Sequence, residues 1–212
     1  MFNVKDKDVV FPGQLLGENV RVDSNCFREG KQVYSSIRGI ARIEGDRLRV
    51  LSLSGMYLPK FDDLVVGVVI LSLHNRWIID INAPYECELM ESKFSRIPMH
   101  FDLGDFISAK VSKVNEVFAA DLMGARKLTG GEIIEVNPTR IPRLIGKKRS
   151  MLNMIKEKTN CQIVVGQNGL VWLNGDNTEL VYKVIKKIEN EAHTNGLTDR
   201  IAHMLDKEIK NN

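Results

Sequence analysis

Apolar and polar residues alternate with a period of two along much of the first two thirds of the chain, and this pattern predicts β-strands. Residues 47–53 alternate clearly, and residues 31–37 form a similar short run. Glycines punctuate this region, and no run in it has the length and periodicity of an ordinary helix. We therefore predict a small all-β domain over residues 1–60.

Residues 61–127 predict a second β domain. An apolar run at Leu64–Leu73 and an alternating run at Phe106–Val114 have the composition of strands. Shorter strands are predicted at residues 77–81, 85–89 and 117–122. The short turns indicate antiparallel pairing, and five strands in so short a segment are typical of a closed barrel of the OB type.

The hydrophobic period changes after residue 128. Residues 132–136 predict a strand, which the pair Asn137-Pro138 ends. From Ser150 onward, apolar residues recur at helical spacing, and we expect Ser150 to be the N-cap of that helix. The last third of the chain therefore mixes helices with strands.

Two strands are predicted on either side of the turn at residues 166–169. A helix with one apolar stripe follows, with Asn177 as its cap, and a further helix is predicted at about residues 199–209. The resulting order is β-α-loop-α-β-β-α over residues 128–212. The chain is thus predicted to be multidomain and mainly β, with a C-terminal α/β domain.

The net charge of +3 decides little by itself, but positive charge is concentrated in residues 138–160. That segment contains seven basic side chains and one acidic side chain, Glu157. The basic residues are Arg140, Arg143, Lys147, Lys148, Arg149, Lys156 and Lys158. Such a concentration suits a polyanion such as nucleic acid, although a solvated helix face is the alternative.

Several classes of protein are excluded. Hydrophobic residues make up 43% of the chain, which is enough for packed cores. The longest apolar run, residues 64–71, is too short to span a membrane, and the N-terminus does not read as a signal peptide, so we expect a cytoplasmic protein. The cysteines and histidines lack the spacing of metal ligands, and Lys148 stands where a phosphate-binding loop needs serine or threonine. We therefore predict no catalytic residues, no metal and no cofactor.

The order of elements in residues 128–212 resembles a KH domain of the eukaryotic topology. In that family a G-x-x-G loop between the first two helices clamps about four nucleotides. The corresponding loop here is Gly146-Lys147-Lys148-Arg149, in which Arg149 replaces the second glycine. The resemblance implies RNA contacts by this loop and by Arg140 and Arg143, which precede it.

The middle domain resembles the S-one RNA-binding barrel, an OB fold. This resemblance rests on residues 63–69, 77–85 and 103–111. OB folds bind single strands by stacking bases on aromatic side chains beside basic groups. The candidates for such a surface here are Arg76, Trp77, Tyr85, Lys93 and Arg96. The alternative for the aromatic residues is a place in the barrel core.

The turn Gly166-Gln167-Asn168-Gly169 has a structural interpretation. A tight hairpin needs residues that tolerate a positive φ, and Asn-Gly provides them. We therefore predict that Gly166, Asn168 and Gly169 shape the turn. The sequence leaves open whether Asn168 also holds a neighbouring loop or a partner's surface.

The order of the three domains is similar to that of the RNA-binding cap subunits of the archaeal exosome. Residues 10–13, residues 80–85 and the G-x-N-G turn at 166–169 carry this resemblance. It implies a non-catalytic subunit that sits, usually in three copies and in some complexes mixed with another cap subunit, on a hexameric ring of ribonuclease-PH-like subunits. There it guides the 3′ ends of single-stranded RNA into the pore, for phosphate-dependent degradation and the reverse tailing reaction, with the N-terminal domain docked on the ring.

Two other functions remain open at this point. The first is a free-standing S-one/KH RNA-binding protein that acts in translation or RNA stability. The second is an enzyme that acts on nucleic acid, which predicts turnover by the purified chain alone.

Overall fold

The computed structural model describes residues 2–22, 25–52, 56–90, 100–192, 194 and 196–211. The chain divides into two compact units, Met1–Gly55 and Met56–Asn212. The division falls close to the predicted end of the first domain. The mainly β character with a C-terminal α/β part confirms the predicted fold class.

The N-terminal unit is built from short strands in two small sheets. Its strands are β1 (Val9–Val10), β2 (Leu15–Glu18), β3 (Arg21–Val22), β4 (Cys26–Glu29), β5 (Gln32–Ser35), β6 (Gly39–Glu44) and β7 (Arg47–Ser52). One sheet has the order β1-β6-β7-β3 and the other β2-β5-β4. Alternating apolar side chains from both sheets form one core, which includes Val10, Leu16, Val33, Leu48 and Val50.

The second unit begins with a closed five-stranded barrel. Its strands are β8 (Leu64–Leu73), β9 (Arg76–Asp80), β10 (Cys87–Met90), β11 (Phe106–Val114) and β12 (Ala120–Leu128), in the order β10-β12-β11-β8-β9. The expectation of purely antiparallel pairing is wrong for the closing pair. There β10 pairs with β12 rather than with its chain neighbour β11, and the two strands run parallel.

Gly67 lets strands β8 and β9 approach each other inside the barrel. A Cβ atom at this position would lie 2.6 Å from the carbonyl oxygen of Asp80 and 2.7 Å from the Ile79 side chain. Contacts this short exclude any larger residue without movement of the backbone. Glycine is therefore needed at position 67 because β8 and β9 pack closely there, and not because of an unusual φ.

The α/β part places helices on one face of a three-stranded sheet. Its elements are β13 (Glu132–Glu135), a 3₁₀ turn (Pro138–Arg140), α1 (Ile141–Ile145), a 3₁₀ turn (Lys147–Arg149), α2 (Ser150–Thr159), β14 (Gln162–Val165), β15 (Leu170–Asn174), α3 (Thr178–Glu191) and α4 (Leu197–Asn211). The sheet order is β13-β15-β14. The apolar stripes of the helices pack on the sheet in one core, which includes Ile155, Val171, Val181, Ile185 and Ile201.

Two predicted helix caps differ from the structure. Helix α2 starts at Ser150 itself, so the N-cap is Arg149, and no side chain caps the helix. Asn177 does occupy the N-cap of α3, but its side chain does not bond the helix. Its Nδ2 donates instead to the Thr159 carbonyl oxygen at 3.1 Å, which ties the start of α3 to the end of α2.

The turn between β14 and β15 joins the α/β part to the barrel. Asn168 is only 1% exposed, and its Nδ2 donates to the carbonyl oxygens of Val66 and Ile81, both at 2.7 Å. Its Oδ1 accepts the Val66 N–H at 3.2 Å. The Gln167 N–H also donates to the Leu64 carbonyl oxygen at 2.7 Å. The side chain that the sequence left unassigned therefore holds strand β8 and the residue that follows β9.

The glycines of this turn are required by space and by backbone conformation. A Cβ atom at Gly166 would lie 2.8 Å from the Val66 nitrogen, so a side chain there would push the turn off the barrel. Gly169 has a φ of +89°, and its Cβ would lie 2.4 Å from the Val136 carbonyl oxygen. Both positions therefore favour glycine. Of the Asn-Gly pair, only Gly169 has the positive φ that the sequence predicted, because Asn168 is not among the described residues with a positive φ.

We predict that Asn168→Ala lowers the free energy of unfolding by about 2–5 kcal/mol, because buried backbone groups of Val66 and Ile81 lose their hydrogen-bond partners. Urea denaturation of the full chain measures the change. Asn153→Ala, at an exposed position on α2, is the matched control and is expected to change stability by less than about 0.5 kcal/mol. Equal effects of the two substitutions would contradict the role of the Asn168 amide.

Candidate nucleic-acid interface

The loop between α1 and α2 turns sharply at Gly146. Its φ is +73°, and a Cβ there would lie 2.8 Å from both the nitrogen and the Cβ of Met151. The first glycine of the predicted loop is thus required where α2 begins. Lys147, Lys148 and Arg149 follow it with exposed side chains. The loop therefore presents three cations to solvent beside the first turn of α2.

Two consecutive residues of this loop are left-handed although neither is glycine. Lys148 has φ 51° and ψ 33°, and Arg149 has φ 64° and ψ 18°. This conformation costs an L-residue roughly 1–2 kcal/mol. Arg149 thus keeps a backbone geometry that glycine adopts without strain, while it adds a charged side chain to the loop.

The positive charge of the loop extends onto α2. Burial lowers the pKa of Lys156, and the nearby charge of Arg149 lowers it further. The first turn of α2 carries no acidic residue that would offset its positive end. The loop and the start of the helix together form a positively charged surface.

Arg140 and Arg143 are engaged within the α/β part itself. The Nε atom of Arg143 donates to the Ala192 carbonyl oxygen at 2.9 Å, just beyond the end of α3. Burial raises the pKa of Glu189, but the Asn137 N–H, Lys186 and Arg140 outweigh it, so this pKa lies below its ordinary value. Arg143, although exposed, is thus bonded within the α/β part, and the charge of Arg140 acts on Glu189; contact of either arginine with RNA stays a prediction.

Trp77 lies in the barrel core. It is 4% exposed, its indole N–H donates to the Phe101 carbonyl oxygen at 3.0 Å, and its ring meets the Phe101 ring edge-on at 5.4 Å between centroids. The expectation that its ring is open to a nucleotide base is wrong. The reason is the alternation of β9, which points Trp77 inward together with Ile79.

Two other barrel candidates are at the surface. Tyr85 is 53% exposed, in the turn between β9 and β10. Arg76 is exposed and forms an ion pair with Glu88, with 3.6 Å between the charged atoms. Lys93 and Arg96 lie outside the described residues.

Arg126 is an exposed cation on the barrel that the sequence analysis missed. Its strand, β12, continues to Leu128, beyond the predicted end at residue 122. In the register of the barrel, Arg126 pairs with Ser108, which pairs in turn with Val66. Arg126, Ser108 and Val66 are therefore side by side on three neighbouring strands. Val66 is the residue whose backbone Asn168 binds. The two consecutive basic residues Arg126 and Lys127 could have indicated this exposed cation from the sequence.

Within the described part of the chain, no group of three or more His, Cys, Asp or Glu side chains is placed to hold a metal ion. Likewise, no described helix combines the length and the apolar character that crossing a membrane requires.

Comparisons with known proteins agree with this architecture. Residues 131–179 match the KH domain family. The chain is 37% identical to the exosome complex component Rrp4 of Methanothermus fervidus, over 99% of this chain and 100% of that protein. It is 38% identical to Rrp4 of Pyrococcus horikoshii, over 95% of this chain and 83% of that protein. A crystal structure assigned to an exosome complex RNA-binding protein is 32% identical, with a TM-score of 0.62 over 74% of this chain and 98% of that one.

We predict that Arg149→Gly is more stable than Arg149→Ala by about 1 kcal/mol, because alanine keeps the strain of the left-handed conformation and glycine relieves it. Both variants lose the same charge, so each serves as the electrostatic control for the other. The pKa of Lys156, followed by NMR, should rise in both. Equal stability of the two variants would contradict the left-handed backbone at this position.

Proposed function

Because this chain belongs to the Rrp4 family of exosome complex components, we propose that it is the RNA-binding subunit of an exosome complex. The observation that carries the proposal is the 37% identity over 99% of this chain and the whole length of a relative. A match of this extent includes the N-terminal unit, the barrel and the α/β part together. The proposal therefore concerns the complete arrangement and not a single RNA-binding domain.

The proposed RNA surface combines one aromatic group with several cations on the second unit. Tyr85 offers an exposed ring on which a base stacks. The exposed cations Lys147, Lys148 and Arg149 of the loop, together with Arg126 on the barrel, offer charge to backbone phosphates. Groups of this kind hold a strand without reading its sequence closely, which suits a subunit that handles many RNAs.

We propose that the chain binds RNA and that its partners cleave it. Guanidinium, ammonium and phenol groups make up the proposed surface, and their roles there are to contact phosphates and bases. In this proposal, ribonuclease-PH-like subunits form a hexameric ring in the cytoplasm, and phosphate-dependent 3′-to-5′ degradation and tailing take place inside it.

The N-terminal unit is proposed to dock on that ring, with three copies of the chain around the pore or with another cap subunit in some positions. Weak binding by each copy is sufficient in such an arrangement, because copies held together present a high effective concentration to one strand. The near-neutral charge of the whole chain, +3, fits modest affinity for each copy.

Co-purification tests the proposed complex. The tagged full chain, expressed in its own cells, should recover ribonuclease-PH-like subunits. The recovered complex should shorten RNA only when phosphate is present, and the isolated chain should leave RNA intact. Recovery of the chain without such partners, together with tight RNA binding, would favour a free-standing RNA-binding protein. Shortening of RNA by the chain alone would indicate an enzyme.

We predict that Tyr85→Ala weakens binding of a single-stranded oligonucleotide by about 1–3 kcal/mol, the usual contribution of one base stacked on an aromatic ring. Fluorescence anisotropy with the full chain measures it. Tyr182→Ala is the matched control, because Tyr182 is 43% exposed on α3, outside the proposed surface. If both variants bind like the unmodified chain, Tyr85 is not part of the RNA surface.

A further inference from the structure

The N-terminal unit has at its surface an open cavity of about 400 Å³, lined by Val22 and by the exposed residues Arg21, Arg28 and Arg47. Three of these four residues carry a guanidinium group, and they come from three different strands, β3, β4 and β7. The fold thus brings together positive groups that are separated by up to 26 positions in the sequence. Nothing in the proposed function uses this cavity.

The strand register forces two of these charges together. Strands β3 and β7 pair in parallel, and Arg21 is directly opposite Arg47. Like charges in directly opposite positions on neighbouring strands are destabilising. A bound anion between the two side chains would remove that repulsion.

Within the described residues, the contacts of these three arginines occupy few of their N–H groups. The Nε of Arg21 contacts Asp46 at 3.2 Å, and Arg28 donates one N–H to the Val20 carbonyl oxygen. Across the described residues, neither Arg28 nor Arg47 takes part in an ion pair. Each guanidinium has five N–H donors, so these contacts orient the groups and leave donors for a ligand.

The other three arginines of the N-terminal unit do not line this cavity. Arg42 forms an ion pair with Asp6 at 3.3 Å, and Arg49 forms one with Glu44 at 2.6 Å. Arg38 lies over the ring of Phe11, 5.9 Å from its centroid. Among the described residues, Arg38 also has no acidic partner, so what is specific to the cavity is that three guanidinium groups lie together.

We propose that this cavity, which we call the arginine cavity, binds a phosphate group. The planar guanidinium fork matches the oxygen atoms of phosphate and forms paired, charge-assisted hydrogen bonds with them. The phosphate belongs either to free inorganic phosphate or to the backbone of an RNA strand. This inference goes beyond the proposed function, because the arginine cavity is in the N-terminal unit and the proposed RNA surface is in the second unit.

The experiment uses the full chain and the variant Arg47→Gln, because Arg47 is exposed and its replacement leaves the contacts of Arg21 and Arg28 in place. Arg38→Gln is the matched control with the same loss of charge outside the cavity. Arg47→Lys keeps the charge but not the fork and should restore binding only in part. Two probes are used, inorganic phosphate and a single-stranded RNA oligonucleotide.

In the first arm, inorganic phosphate is titrated into ¹⁵N-labelled chain, and the Nε–Hε signals of the arginines are followed by NMR. Free phosphate as the ligand shifts the signals of Arg21, Arg28 and Arg47, and Arg47→Gln weakens the shifts while Arg38→Gln does not. Chloride at the same ionic strength separates phosphate binding from a general salt effect.

In the second arm, RNA affinity is measured over a range of salt concentrations. A backbone phosphate as the ligand makes the slope of log K against log salt shallower by about 0.7 in Arg47→Gln, the contribution of one phosphate on a single strand. The slope for Arg38→Gln stays at the value of the unmodified chain.

A positive result in either arm supports the proposal and identifies the source of the phosphate. Unchanged behaviour of Arg47→Gln in both arms overturns it, as does an unmodified chain that responds to neither probe. If Arg47→Gln instead lowers only the recovery of partner proteins, the arginine cavity binds carboxylates of a protein surface, and the phosphate proposal is wrong. The effect of Tyr85→Ala on RNA binding is independent of all these outcomes.

Discussion

The arrangement of the second unit depends on one carboxamide group. Asn168 gives both hydrogens of its amide nitrogen and one lone pair of its oxygen to the backbone of the barrel, at a site closed to water. A buried polar group with partners of this quality fixes orientation as well as distance. It follows that the turn between β14 and β15 is committed to the barrel. The amide of Asn168 is therefore not available to a nucleic acid bound to the α/β part.

Because this turn is bonded to the barrel, the exposed charge and the strained backbone of the α/β part are found elsewhere. The loop at residues 146–149 carries exposed cations in a left-handed backbone, while Arg143 is bonded to the chain just beyond α3. On the barrel, the large aromatic ring of Trp77 is buried and the exposed ring belongs to Tyr85. Apart from Arg126 on β12, the proposed binding groups are thus on turns and loops, and the rigid strands and helices between them hold their positions.

The local pattern of apolar and polar residues was enough to predict some strands and not others. The limits of β8 and β11 could be predicted because long apolar or alternating runs are bounded by turn residues. The extension of β12 past Gly124 was missed, since polar residues there pair through an irregular register. Neither the parallel closing pair nor the partners of Asn168 could be found, because each depends on residues far away in the chain. For Trp77, alternation alone could not tell which face of β9 points inward.

The separation along the chain between Asn168 and its partner has a consequence for synthesis. Val66 precedes Asn168 by 102 residues, and β10 precedes β12 in a pairing that closes the barrel. During translation, β8 leaves the ribosome long before Asn168, whose side chain binds the backbone of Val66 in that strand. Until that residue emerges, the backbone N–H and carbonyl oxygen of Val66 and the carbonyl oxygen of Ile81 lack the partner that they have in the folded chain.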